Sequence, residues 1–330
     1  LFDDLASTSE RVAISSKRNE KVAAIAAVLV TLEPDEIVDA VAFLTGQTAI
    51  GRIGVGRATL ADVQPTPAGT PTLEVLGVAR TLARIAVMSG QGVVADRRAA
   101  LEDTFAAATR REQVLLRGVL SGELRQGALA GVVLAAVAKA AGVPLGAVRR
   151  AAMMAGDLGP AAAAALTGGA EALRAIELLP GRPVQPMLAS TAASAGEAVT
   201  DIGLASVEWK LDGARVQAHR RGSEVLLFTR NLNDITERLP GVVDVVRSLP
   251  GGDLVLDGEI LGLDGVTPRR FQDTMATSVP LGRPGEEAAS GRSSSTPCTS
   301  TGSRSTTSRW RCAAACSSRP CPSRHGCHRS

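Results

Sequence analysis

The sequence predicts a multidomain chain, all-α at first and α+β after that, closed by a tail that does not fold. Three observations predict it. Apolar residues recur at helical spacing up to about residue 177. From about Ala205 the period changes to strand-like alternation. After Leu281 there is no Leu, Ile, Val, Met, Phe or Tyr. At 330 residues the chain is long enough for two domains. Apolar residues make up 45% but aromatics only 2%, with no Tyr, so the core has to be built mainly from Ala, Val and Leu.

In the helical zone, Ile37, Val41 and Leu44 form one stripe, with Pro34 at the start of that helix and Gly46 just past its end. Further helical patterns run over Pro71–Ala86, Arg97–Leu120 and Gly127–Ala141, and shorter ones continue to about Glu177. Gly51–Gly56 and Gly90–Gly92 separate helices. The Pro-rich stretch Leu178–Ser190 forbids helix continuation and marks the domain boundary. Arg215–His219 then alternates polar and apolar as a half-buried strand. Arg221-Gly222-Ser223 turns, Glu224–Phe228 returns, and Gly251-Gly252-Asp253 leads into a strand over Leu254–Leu263. This alternation predicts an antiparallel sheet. The longest apolar run, Ala128–Leu145, is interrupted by Lys139 and Pro144, and no secretory signal is visible, so a soluble cytoplasmic protein is expected.

The charge balance has to be split. Gly291–Ser330 holds seven of the 36 basic residues, all Arg, and no acidic one. The remaining 29 face 33 acidic residues, a balance near −4, so net charge does not announce a nucleic-acid binder and any such contact must be local. All five Cys (298, 312, 316, 321, 327) lie in the tail, unlike a disulfide framework spread through a secreted domain. With His325 and His328 they suggest a zinc site, but the spacing lacks a C-x₂-C pair and has no core around it.

The chemistry sits in Glu208-Trp209-Lys210-Leu211-Asp212-Gly213-Ala214-Arg215. The chain has only four Lys (17, 21, 139, 210) against more than thirty Arg. Arg serves wherever a fixed charge will do; a Lys at the end of a buried strand suggests an amine that must lose its proton to act as a nucleophile. Asp212-Gly213 reads as a tight turn with Gly tolerating positive φ, and Arg215 is placed to meet a phosphate. The plain alternative is a hairpin with an Asp-Gly turn and a solvated Lys. His219 points outward and reads as solvated. Trp209 reads as core packing beside the pocket, and Arg125 as a helix-surface or phosphate contact.

Lys210, Asp212, Gly213 and Arg215 form K-x-D-G-x-R, which resembles motif I of the covalent nucleotidyltransferases: DNA ligases, RNA ligases and mRNA capping enzymes. Phe228-Thr229-Arg230-Asn231 resembles the next element of that superfamily, and Leu256-Asp257-Gly258-Glu259-Ile260 resembles motif III. Phe43–Gly46, Ile53–Gly56 and Gly122–Gly127 resemble the N-terminal DNA-binding domain of ATP-dependent DNA ligases, and Arg182–Ala189 resembles the linker that comes after it. The likeness covers about residues 1–276 and is greatest to actinobacterial-type enzymes. It implies a helical DNA-binding domain (1–177), a linker (178–190) and the first part of an adenylation domain (191–276), with 277–330 as an aberrant, disordered tail.

The resemblance also implies a reaction. Lys210 takes AMP from ATP, the AMP passes to the 5′-phosphate of nicked duplex DNA, and the 3′-hydroxyl seals the strand. Glu208 would read the adenine, Arg230 and Glu259 hold the ribose, Arg215 orient the phosphates, and Mg²⁺ offset their charge. A monomer is expected.

The chain departs from this family after motif III, where an F-D-x-L-x-x-D-G element, paired lysines and an OB-fold should come next. Arg292–Gly302, written with Ser as TCT or TCG and Thr as ACG and read one base earlier, gives P-F-F-F-D-A-L-H-V-D-G. Ser305–Arg311 then gives V-D-D-L-P-L-A, and the unique Trp codon fits. A frameshift between about Met275 and Gly291 is therefore expected, with this polypeptide inactive or nearly so on its own. An RNA ligase-type enzyme and a non-catalytic DNA-binding fragment are the alternatives.

Overall fold

The computed structural model describes residues 1–46, 48, 54–124, 129–186, 190–205, 213–261, 263–264, 267–268 and 309–311. The chain divides into two units: Leu1–Leu179 with Val184–Pro186, and Pro180–Pro183 with Met187–Ser330. The Pro-rich stretch is thus shared between them.

Among its described residues the regular structure of the first unit is all helix: α1 (Phe2–Ile14), α2 (Arg18–Leu29), α3 (Ile37–Leu44), α4 (Arg57–Asp62), α5 (Val75–Val87), α6 (Val93–Ala107), α7 (Arg110–Ser121), α8 (Leu129–Ala141), α9 (Leu145–Ala155) and α10 (Leu158–Ala175). Its core is mostly Ala, Val and Leu, with Phe2, Phe43 and Phe105 as the large fillers. Phe2 and Phe43 meet edge to face with centroids 5.2 Å apart. The stripe Ile37, Val41, Leu44 on α3 is buried as its spacing predicts. Opposite it, α10 presents Gly159, Ala161, Ala162 and Ala165. A Cβ on Gly159 would lie 3.0 Å from Val38 Cγ1, so the small residues let α10 lie close against α3.

Arginines tie this unit together. Arg97 donates to the carbonyls of Ile85 and Met88 at the end of α5, and to Gly54 O, at 3.1, 2.7 and 3.1 Å. Arg117 lies over the Phe105 ring and donates to Leu60 O and Val63 O, fixing the end of α4 and the residue that caps it.

Two expectations change here. The pattern Pro71–Ala86 begins as a helix only at Val75, after the extended N-cap Glu74. The single pattern Arg97–Leu120 is two helices, broken at Ala108–Thr109. The reason is a capping box: Thr109 Oγ1 accepts from Glu112 N–H at 3.4 Å while Glu112 Oε2 accepts from Thr109 N–H at 2.7 Å. The sequence T-R-R-E carries that signal.

The second unit starts with α11 (Ala195–Ile202), then β1 (Ala214–Arg221), β2 (Glu224–Thr229), a 3₁₀ turn at Thr236–Arg238, α12 (Pro240–Ser248) and β3 (Leu254–Ile260). Short strands β4 (Leu263–Asp264) and β5 (Thr267–Pro268) pair with each other, and β6 (Arg309–Arg311) comes last. The sheet order is β2-β1-β3-β6, all neighbours antiparallel. The turn at Gly222 has φ 59, which glycine accepts freely. Pro240 opens α12 at its first turn. The strand expected over Leu254–Leu263 ends at Ile260.

Of the tail, only Arg309–Arg311 lies among the described residues. Arg309–Arg311 pairs with Asp257–Glu259 along the backbone. Edge pairing needs only main-chain donors and acceptors, which a segment poor in apolar side chains still has.

Central strand β1 is covered on both faces. Val216 and Ala218 join Val225, Leu227, Leu256 and α12's Val242 and Val246 in the apolar core. Gln217 and His219 line the other face, where the ring of Phe228 meets His219 edge to face at 5.1 Å. Arg220 is 4% exposed and donates to the carbonyls of Val246, Leu249, Gly251 and Gly252, which lie at and beyond the end of α12. Among the described residues, no helix is long and apolar enough to cross a membrane.

Replacing Thr109 by Ala removes the cap between α6 and α7. Thermal unfolding should show a loss of about 1 kcal/mol, or a Tm lower by roughly 2–4 °C for a unit of this size. An unchanged Tm would mean that the α6–α7 break is held by packing alone.

Candidate active site

The candidate residues gather at one end of the sheet. Strand pairing sets Arg215 opposite Glu259, Ala214 opposite Ile260, and Val216 opposite Thr229. The start of β1 therefore lies between the ends of β2 and β3. Gly213, Arg215, Arg230 and Glu259 all belong to this end. Glu208, Trp209, Lys210 and Asp212 lie outside the described residues; in the chain they come immediately before Gly213.

Gly213 is held against β3. Its N–H donates to Glu259 Oε1 at 3.0 Å. A Cβ there would collide with Ile260 O and stand 2.7 Å from Glu259 Cγ. Its φ lies outside the left-handed region, so the expected positive-φ turn is not what demands glycine. Close approach of two backbones demands it.

Arg215 forms a two-pronged pair with Asp257: Nε to Oδ1 at 2.9 Å and Nη2 to Oδ2 at 2.6 Å. Both side chains stay partly exposed, at 37% and 43%. The bond to Asp257 holds the Arg215 pKa above its ordinary value. Asp257 sits in the same strand motif as Glu259 but does not stand out in the sequence as a partner. Its register with Gln217, two residues beyond Arg215 on β1, is the signal that finds it.

Arg230 is exposed at the tip of a tight loop. Thr229 N–H donates to Asn233 O at 2.9 Å and Leu232 N–H to Thr229 O at 2.9 Å, closing the loop around Arg230 and Asn231. Leu232 carries φ 62, a costly conformation for a non-glycine residue.

His219 is a correction. It is 1% exposed, not solvated. Its Nδ1 accepts from Gly181 N–H at 3.1 Å, so the Pro180–Pro183 segment closes this face of the sheet. Burial pushes its pKa down to about 4. Alternation alone misleads because Phe228 and the Pro180–Pro183 segment cover the face that alternation leaves to water. Arg125 and the Cys/His tail lie outside the described residues.

No group of three or more His, Cys, Asp or Glu side chains among the described residues could hold a metal ion. Mg²⁺ commonly takes one or two carboxylates and completes its shell with substrate phosphates and water. Glu259 is a carboxylate at this end of the sheet that suits such a shared site.

Residues 186–281 match the family model described as ATP dependent DNA ligase domain. A protein named "Probable DNA ligase" from Pseudarthrobacter chlorophenolicus is 50% identical over 278 residues, 84% of this chain and 55% of that relative. Proteins of the same name from Rhodococcus jostii and Beutenbergia cavernae are 47% and 49% identical over 278 and 289 residues, covering 84% of this chain in each case and 55% and 56% of the relatives. The chain thus spans about half the length of the curated relatives it matches.

Two outcomes are expected. Gly213→Ala should destabilise the second unit by about 1–3 kcal/mol through overpacking against Ile260 O, read from urea unfolding; a neutral effect would refute the close approach. For His219, the folded-state pKa lies below the ordinary value of 6.5. The unfolded chain therefore takes up the proton first as pH falls. Its stabilising contribution is complete above about pH 6.5 and is lost on going down to about pH 4, on the order of 2–3 kcal/mol. Unfolding of wild type and His219→Asn at pH 7 and pH 4.5 should show the wild type losing more; equal losses would refute the assignment.

Proposed function

We propose that this chain, a relative of the ATP-dependent DNA ligases, is the DNA-binding and nucleotide-binding part of an enzyme that seals nicks in duplex DNA. The observation that carries the reading is the convergence of Gly213, Arg215, Arg230 and Glu259 on the sheet end that directly succeeds residues 206–212. A lysine delivered to that end would find Arg215 and Arg230, cations able to bind nucleotide phosphates, and its amine becomes a nucleophile once it gives up its proton.

In this reading the Lys210 amine attacks the α-phosphorus of ATP. A P–N bond forms, the P–O bond to the β-phosphate breaks, and pyrophosphate leaves. The 5′-phosphate at the nick then displaces the amine to give adenylated DNA, and the 3′-hydroxyl displaces AMP to form the phosphodiester. Glu208 reads the adenine and Arg230 and Glu259 hold the ribose. Arg215 orients phosphates, kept in place by Asp257. Mg²⁺ supplies charge neutralisation at the phosphates. The helical unit holds duplex backbone through arginines and helix N-termini without reading sequence. The enzyme acts as a monomer in the cytoplasm, in replication, repair and recombination.

The domain limits accord with the same reading: DNA binding over 1–177, a linker over 178–190, adenylation over 191–276. Residues 277–330 are taken as out of frame, so the 330-residue polypeptide alone should seal nicks poorly.

The test uses α-labelled ATP and a chimera joining residues 1–281 to the part of the Pseudarthrobacter relative that lies beyond the matched region. The chimera should take up label, and Lys210→Ala should lower labelling by on the order of 10³-fold or more. Labelling of the Lys210→Ala chimera at the unsubstituted level would sink the proposal. Preference for nicked RNA over nicked DNA would move it to the RNA ligases.

A further inference from the structure

Helix α11 is a finished helix with no buried residue among the described residues. Its N-terminus is capped twice: Ser194 Oγ accepts from Glu197 N–H at 3.2 Å, and Glu197 Oε2 accepts from Ala193 N–H at 2.9 Å. At its other end Gly203, with φ 77, donates its N–H to Val199 O at 2.9 Å. Ala195, Ala198, Val199 and Ile202 fall at positions i, i+3, i+4 and i+7, a single stripe, and Leu204 lies just beyond it. A stripe like this is built to be covered. Yet α11 contains no buried residue: Val199 is 44% exposed, Ile202 68% and Leu204 fully exposed. The opposite side carries Glu197, Thr200 and Asp201.

The occupant is narrowed by what the chain contains. After Leu281 there is no Leu, Ile, Val, Met, Phe or Tyr, so the last 49 residues have almost nothing apolar to lay on the stripe. The curated relatives, 46–50% identical over the matched region, contain nearly as much chain again outside it. The family match itself stops at residue 281.

We propose that the stripe Ala198, Val199, Ile202 and Leu204 is the seat for the polypeptide that these relatives carry outside the matched region, docking through an apolar patch of its own. This rests on the ligase reading above. The seat lies immediately before residues 206–212, so covering it would also fix the approach of Lys210 to the sheet end. Supplied as a separate chain, that part of such a relative would then bind to this one.

The experiment co-expresses the tagged 330-residue chain with the portion of the Pseudarthrobacter relative beyond its matched region, and measures how much co-purifies. A stoichiometric complex is expected with the unsubstituted chain. Val199→Asp combined with Ile202→Asp should lower recovery at least tenfold. Thr200→Asp, which adds the same kind of charge on the other side of the helix, should leave it unchanged. Because α11 buries nothing, circular dichroism should show all three chains equally folded. Absence of a complex, or one that survives the double substitution, overturns the proposal. Labelling with α-labelled ATP separates it from the ligase reading. A complex that needs the stripe but never adenylates Lys210 keeps the seat and loses the ligase. Adenylation that ignores the stripe does the reverse.

Discussion

A side chain at position 213 would have nowhere to go, and the candidate site depends on that. Gly213 lies against Ile260 O so closely that even a methyl group would collide. With that contact made, its N–H reaches Glu259, and two residues further on Arg215 meets Asp257 with both prongs of its guanidinium. Two links between β1 and β3, one through backbone and one through charge, fix the strand register where the site residues sit. In an antiparallel pair, a one-residue slip would turn Arg215 and Glu259 to opposite faces. The steric demand at Gly213 and the paired charges thus select one register together.

The rest of the sheet shows what holding β1 in the centre requires. Both faces of β1 are covered, yet it carries Gln217, His219 and Arg220. Buried polar groups are tolerable when partnered. His219 accepts from the Gly181 backbone and stays neutral, and Arg220 spreads its charge over a fan of carbonyls at the end of α12. Val246 O lies in the last turn of α12, and the other carbonyls lie in the segment that follows it. The same bonds therefore satisfy the buried cation and close α12, which packs its valines onto the strand from the other side.

These contacts also decide how far the sequence can be read. Periodicity finds β1, β2 and the turn at Gly222, because these depend on neighbours along the chain. It finds the stripe on α3 for the same reason. It misses the break at Thr109, whose signal is a cap and not a period, and it places His219 in water because alternation assumes one wet face. Asp257 escapes notice as the partner of Arg215 because their pairing exists only across strands. Gly213 stands out, but for a turn conformation it does not adopt; the backbone that crowds it is forty-seven positions away in the chain. The octet around Lys210 is legible as chemistry, and its geometry from Glu208 to Asp212 lies outside the described residues.

The division of labour between the two basic residue types bears on what Lys210 is for. Each cation that organises this fold is an arginine acting on several acceptors at once: Arg97 on the end of α5 and Gly54, Arg117 on the end of α4, Arg220 on the segment after α12, Arg215 on both oxygens of Asp257. Such fans need a planar group with five donors in fixed directions, which an ammonium on a flexible stem does not provide. Lys17 and Lys139 of the helical unit are exposed instead: Lys17 pairs with Glu20, and Lys139 lies on α8. A lysine in the second unit, in a sequence that uses arginine for every structural cation named above, is then poorly explained by support or by solvation. What lysine offers and arginine does not is the ability to give up its proton within reach of neutral pH. That property serves a nitrogen that must form a bond or take up a proton, and in the function proposed above Lys210 would use it at the sheet end that carries Arg215 and Glu259.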